Sequence, residues 1–431
     1  MSGFGERIEP LRALLYDPEQ VGDLRKVVAP PYDLIDERQQ SELYQRSPYN
    51  VVRLELARDP DRYAASAETM TRWRREGALR FAPRPAIYHY VQEFRVEGRT
   101  LSRTGLIVRI RLEEFASGGI LPHEKTFPAA KQDRLRLLQA LETNVSSIFG
   151  LYPGTYPELA AMLRTVGARE PLVDIVDDLG IRNQLRPIED PAEIAVVQRA
   201  LATTRILIAD GHHRYETALN YRRMRREAEG NPKEVRPYDY TMMTLVAFDD
   251  PGLVILPTHR VVARLDPTAV EKFVERAAQT FEISESEDRG SFLAELSRRG
   301  RGTLGVALRG QSRLMLLRLR SQEALKAALP DTPAAVRELD VSILHALVLD
   351  RILGIKSEQV KKGGNIEYTI DGPGALSAVA EGRADGAFLM NPPSIGDVER
   401  VCASGATMPE KSTYFHPKLL TGLVLNPLDA R

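Results

Sequence analysis

The sequence predicts a mixed α/β protein of the α+β kind, multi-lobed and built on mixed sheets, and three observations predict it. At 431 residues the chain exceeds one ordinary core, since a domain usually takes ~100 to 200 residues. Hydrophobic residues make up 43% and charged residues 27%, the balance of a folded protein rather than a disordered one. Short apolar runs of strand length also alternate with segments of helical periodicity from end to end.

The elements follow in order. Pro30-Pro31 forces extended backbone before Tyr32-Asp33, which leaves the Asp33 carboxylate on a turn, available for capping or chemistry. A polar helix-like stretch leads to a strand over residues 50–56, then a helix over 64–76 in which Trp73 packs. Residues 86–94 and 101–112, rich in Tyr, Val and Ile, read as a hairpin turning at Glu97-Gly98-Arg99. His123-Glu124-Lys125-Thr126 follows a Gly-Gly loop, and beyond it Leu135, Leu138 and Leu141 recur at helical spacing.

Residues 203–209 form a short apolar strand broken by Asp210-Gly211, after which Tyr215, Ala218, Leu219 and Arg222 share one helical stripe. Residues 241–248 and 253–256 read as paired strands, as do 303–308 and 314–319 around Arg309-Gly310-Gln311. Helices are expected over 267–280, 291–297, 334–353, 375–381 and 395–403, with a buried strand at 386–390 stopped by Asn391-Pro392-Pro393. The expected lobes are residues 1–235 and 236–431, the second ending in a polar, cationic tail loop over 405–422 that completes or covers the site.

Lys+Arg and Asp+Glu both total 59, so no global field draws the chain to nucleic acid or membrane. The run Arg222-Arg223-Met224-Arg225-Arg226, bounded by Glu227 and Glu229, reads as a solvated helix face. A single Cys402 rules out an internal disulfide and a multi-cysteine zinc site. No stretch approaches the ~20 apolar residues of a membrane span and the first residues lack a signal-peptide core, so the expected location is cytoplasmic. Neither His-Glu-x-x-His nor Gly-x-Ser-x-Gly occurs.

The chemistry concentrates in Asp210-Gly211-His212-His213-Arg214. A strand delivers the chain to a glycine that lets backbone approach a ligand, and a helix start aims unpaired N–H groups outward, which makes an anion site. Arg214 adds a planar cation suited to phosphate or carboxylate, and two imidazoles can move protons near neutral pH. Asp210 could cap the helix, hold a divalent metal or take a proton from a nucleophile. In the second cluster, His123-Glu124-Lys125 with Lys131, Asp133 and Arg134, Lys125 could neutralise phosphate and Glu124 could act as a general base. The third, residues 408–418, holds Lys411-Ser412 but lacks the glycines of a P-loop. Thr258-His259-Arg260 and Asn391 are weaker candidates, while His89 and His345 read as structural.

Together ADGHHRYETAL at residues 209–219, PPYD at 30–33, His123 to Thr126 with Asp133-Arg134, and the 408–422 tail resemble the bacterial and archaeal family called domain of unknown function 1015. The Asp-Gly-His-His-Arg turn also resembles the phosphate-binding turn of the ParB/sulfiredoxin-like superfamily, which includes free-serine kinases. That resemblance implies a strand-turn-helix phosphate grip and a carboxylate base elsewhere, with Glu124 and Asp33 as candidates. The expectation is a phosphotransferase acting on a small hydroxylated metabolite such as serine, with a nucleotide or pyrophosphate and Mg²⁺. In it Gly211, His212, His213, Arg214, His123, Lys125, Arg134, Lys411 and Ser412 hold phosphate or nucleotide, and Asp210 holds metal or hydroxyl. The alternatives are a noncatalytic sensor of a phosphorylated metabolite or nucleotide, and a small-molecule phosphohydrolase. Neither nucleic acid nor a membrane is an expected partner, and the oligomeric state stays open.

Overall fold

The computed structural model describes residues 6–124, 128–154, 156–356 and 365–429, and for 128–130 the backbone only. The chain divides into two compact units, one of Met1–Pro122, Thr126–Val254 and Pro417–Arg431, the other of His123–Lys125 and Ile255–His416.

The first unit is organised by a nine-stranded sheet in the order Ile120–Pro122, Ile206–Asp210, Ile148–Tyr152, Tyr240–Ala247, Arg99–Arg111, Ile87–Val96, Arg182–Ile188 and Val173–Val176, with Ile8–Glu9 added beside Arg99–Arg111. It is mixed: Ile206–Asp210 runs parallel to Ile120–Pro122, Tyr240–Ala247 runs parallel to Ile148–Tyr152, and the other pairs are antiparallel. The hairpin at Glu97-Gly98 forms as its turn residues direct. Helices Pro157–Gly167, Pro191–Leu201 and His212–Ala228 bury Leu159, Val166, Val197, Leu201, Tyr215 and Leu219 in one core with Ile206 and Ile208. A second core gathers Trp73, Leu43, Val52 and Leu54 with Leu137 and Leu141 of helix Pro128–Leu141.

Two expectations change here. Residues 50–56 are not a strand: Val52–Glu55 is a helical turn. Asn50 starts it, accepting from the Val52 amide at 3.0 Å while its own amide donates to the Lys26 and Val28 carbonyls at 2.8 and 3.0 Å. Val51, Val52 and Leu54 are all fully buried, and a short continuous apolar run has no period that separates helix from strand. Tyr240–Ala247 pairs with Arg99–Arg111 and Ile148–Tyr152 rather than with residues 253–256. It is an interior strand, so residues 236–254 belong to the first unit.

The second unit carries a six-stranded antiparallel sheet ordered Phe281–Ser286, Leu314–Leu319, Thr303–Leu308, Gly386–Leu389, His259–Val262 and Ile366–Thr369. The hairpin around Gly310 is present. Helices Phe292–Arg299 and Gly372–Ala380 pack Phe292, Leu296, Ala375 and Leu376 onto Leu316, Ala387 and Leu389. The single helix expected over 334–353 breaks into Ala334–Arg337, Asp340–Ile343 and a π-helical stretch, Leu344–Ile352.

Candidate functional site

Strand Ile206–Asp210 is buried along its length, with Ile206 and Ile208 fully so. Its register against Ile148–Tyr152 shifts between Ile208 and Asp210, which brings Asp210 opposite Phe149. Such an irregularity re-aims the side chain at the strand end. Gly211 follows at φ 90°, in the left-handed region that favours glycine, and a Cβ there would meet the Arg214 Nε at 2.9 Å. Helix His212–Ala228 then starts with Gly211 as its N-cap and no capping side chain. The first-turn amides, which have no partner within the helix itself, therefore point outward from the strand end without a side-chain cap. Tyr215 anchors this end through its hydroxyl, which donates to the Glu113 carbonyl at 2.8 Å and accepts from the Glu113 amide at 2.9 Å.

Asp210 does not cap the helix. Its Oδ1 accepts from Lys418 Nζ at 2.9 Å and its Oδ2 from Arg214 at 2.9 Å, while the same guanidinium donates to the Ser147 carbonyl at 2.6 Å. Burial works to raise the Asp210 carboxyl, but Lys418, Arg214 and His212 outweigh it and hold the group well below the usual carboxylate range. His212 is buried and His213 half-buried in the same turn. Lys418 is the residue that sequence reasoning passed over within its tail cluster. Only its position in a polar tail signalled it, since its partner lies 208 residues away.

Arg134 and the Pro30–Asp33 segment lie in the same unit. Arg134 is buried, pairs with Glu55 at 2.8 Å and Asp133 at 2.7 Å, and stacks over the Tyr32 ring at 4.1 Å. Burial raises the Tyr32 hydroxyl to about 12 against the opposing charges of Arg214 and Arg134, which ties this segment to the turn electrostatically. Asp33 is exposed on the short 3₁₀ turn Tyr32–Leu34. A cavity of about 50 Å³ lies here, lined by Glu55, Arg134, Asn144, Arg214, Thr217 and Thr241 among others. Lys131 pairs with Glu216 at 2.5 Å on helix His212–Ala228.

The remaining candidates belong to the second unit. His123 is fully buried, with Nε2 2.9 Å from Thr413 Oγ1 and Phe415 edge-on to its ring. Its carbonyl accepts from the Met408 amide at 2.7 Å, and Glu124 bridges to Met408 in parallel. Lys125 lies outside the described residues. Lys411 is exposed at φ 53°, and Ser412 is buried with its hydroxyl donated to the Pro409 carbonyl. Arg260, fully buried, donates to the carbonyls of Thr258, Glu410 and Lys411 and so ties this loop to strand His259–Val262.

Burial, with the Arg186 charge, lowers His89 to about 4, and burial with the Arg260 charge lowers His345 to about 3. Both rings are neutral, as structural histidines are. Burial raises the Cys402 thiol to about 12, which suits packing rather than nucleophilic attack. Among the described residues no group of three or more His, Cys, Asp or Glu side chains is placed to hold a metal ion, and no helix is long and apolar enough to cross a membrane.

No curated protein matches the sequence. Among solved structures, a free serine kinase in complex with AMP aligns at 13% identity and a TM-score of 0.34, over 72% of this chain and 86% of its own. A conserved hypothetical protein from Pyrococcus furiosus aligns at 12% identity and a TM-score of 0.34, over 73% and 92%. SbnI with a C-terminal truncation, from Staphylococcus aureus, aligns at 11% and 0.35, over 75% and 87%. Likeness at that level assigns no activity to this chain. The match that does assign kinship spans residues 8–342 and takes in the turn, the Pro30–Asp33 segment and the 123–134 cluster: the chain belongs to the family described as Protein of unknown function (DUF1015).

Proposed function

We propose that the protein is a phosphate- or nucleotide-binding phosphotransferase acting on a small hydroxylated metabolite such as serine. One observation carries the reading: a strand end, a left-handed glycine and the start of a 17-residue helix with no capping side chain stand beside two cations, Arg214 and Lys418, already aligned by Asp210. Helix-end donors and a fixed guanidinium together suit a phosphoryl group. Gly211, His212, His213 and Arg214 would hold phosphate, and Lys418 would add the second positive charge. Mg²⁺ would come as the counter-ion of the nucleotide or pyrophosphate, supplying charge neutralisation, because the described residues gather no metal site of their own. Asp33 and Glu124 are the proposed carboxylate bases for the acceptor hydroxyl.

A second reading, a noncatalytic sensor of the same ligands, draws support from Asp210 itself, whose two oxygens are both engaged by cations. Phosphorus NMR after incubation with ATP, ADP or pyrophosphate, Mg²⁺ and a panel of hydroxylated metabolites decides between them. Transfer to an acceptor supports the kinase, release of inorganic phosphate a hydrolase, and binding without turnover the sensor; absence of binding removes all three. Arg214→Ala should abolish binding, while Asp33→Asn or Glu124→Gln should lose turnover and keep affinity in an enzyme.

A further inference from the structure

The second unit holds a separate polar cavity of about 50 Å³ at the end of strand Gly386–Leu389. That space exceeds the roughly 10–15 Å³ one water needs. Leu339, Val341, Met390, Pro392 and Pro393 form apolar walls, and Thr258, Asp340, Arg301, Asp397 and Asn391 supply polar groups. Thr258 is 94% buried, its relative exposure being 6%, and its Oγ1 has no hydrogen-bond partner. Buried hydroxyls are normally hydrogen-bonded, so an orphan at a cavity wall points to a group that belongs there.

Asp340 is the second observation. Its Oδ1 accepts from the Gly302 amide at 2.7 Å, and the described residues place no cation within ion-pair distance of it. Asp397, by contrast, is neutralised twice, by Arg301 at 2.9 Å and by Arg400, and its Oδ2 accepts from the Ser394 amide and hydroxyl. Counted with their ion-pair partners, Arg301 and Arg400 face Asp397, Glu338 and Asp340, which leaves one negative charge in excess. Burial raises the Asp340 carboxyl to about 7, against the Gly302 hydrogen bond and the Arg301 charge.

We propose that this cavity binds a small primary alkylammonium, its N–H groups donated to Asp340 and Thr258 Oγ1 and its carbon chain laid on the Leu339, Val341, Met390 and proline walls. A single uncompensated charge matches a monocation. The apolar walls suit an organic amine over a hydrated divalent ion, and the described residues gather no three-ligand metal set. The site is independent of the phosphate-binding reading of the first unit.

Titration of the full chain with n-propylammonium chloride, followed by saturation-transfer NMR and melting temperature, tests the proposal, with n-propanol, tetramethylammonium chloride and MgCl₂ as comparisons. The expected result is saturation transfer and a raised melting temperature for n-propylammonium alone. Asp340→Asn should abolish both, and Thr258→Val should weaken binding at least fivefold. Asp340→Asn keeps the side-chain shape and removes a half-buried charge, so it should fold; the isosteric Thr258→Val gives an independent check. Equal binding of n-propanol, unchanged binding in both variants, no binding of n-propylammonium, or an Asp340-dependent response to MgCl₂ alone would each overturn it.

Discussion

Asp210 in the first unit and Asp340 in the second are both half-buried carboxylates, and they respond in opposite ways. Asp210 meets Lys418 and Arg214 at 2.9 Å each and is held ionised, whereas Asp340 meets one backbone amide and is pushed up to about 7. Desolvation acts on both in the same direction, so the difference lies in the cations. An ionised carboxylate with two aligned cations is a fixed charge that orders its surroundings. One without them has its charged form disfavoured by the same burial.

The largest effect should come from removing the compensated carboxylate. Asp210→Ala leaves Lys418 and Arg214 facing each other, only 13% and 14% exposed, and should cost roughly 3–5 kcal/mol, read as a lower urea midpoint at unchanged m. Inorganic phosphate should restore part of that loss if the two cations grip anions; no recovery would count against the grip.

Next comes pH. Asp340 binds its proton more tightly folded than unfolded, so it makes stability fall as pH rises from about 4 to about 7, with the penalty complete above the folded value. At about 1.4 kcal/mol per unit, Asp340→Asn should flatten that slope and gain up to about 4 kcal/mol at pH 8. An unaltered pH profile in the variant would break the comparison. Asp210 has the opposite sign: its depressed folded value gives stability present above about pH 4 and lost as pH falls toward that folded value. Lys418→Met should shrink this acid-side contribution, measured by melts between pH 5 and pH 2.

Gly211→Ala should cost about 1–3 kcal/mol, because alanine would sit at φ 90° and press on the Arg214 guanidinium; thermal melts read it. The smallest effect belongs to Lys411→Ala, an exposed side chain, with stability within about 0.5 kcal/mol and any change confined to ligand affinity.

Much of this was legible in the sequence for local reasons. The strand, glycine and helix at 206–228 are written in an apolar run, a breaker and a helical stripe, and the hairpins at Gly98 and Gly310 in their turn residues. Residues 50–56 were misread because their burial is continuous and the Asn50 contacts that make a turn reach back more than twenty residues. Strand Tyr240–Ala247 was recognised, but its partners were not, since pairing depends on which edges meet and not on local composition.

The sequence by itself determined the mixed α/β class, the family and the turn at Asp210 to Arg214, because period, breaker residues and helix-start chemistry act within a few residues. Only the tertiary structure decided that Asp210 is an ion-paired anchor rather than a cap, that Lys418 completes its pairing, and that Asp340 and Thr258 share a cavity. Charge compensation is a matter of through-space distance, and residues 210 and 418, or 258 and 340, acquire a distance only when the chain folds.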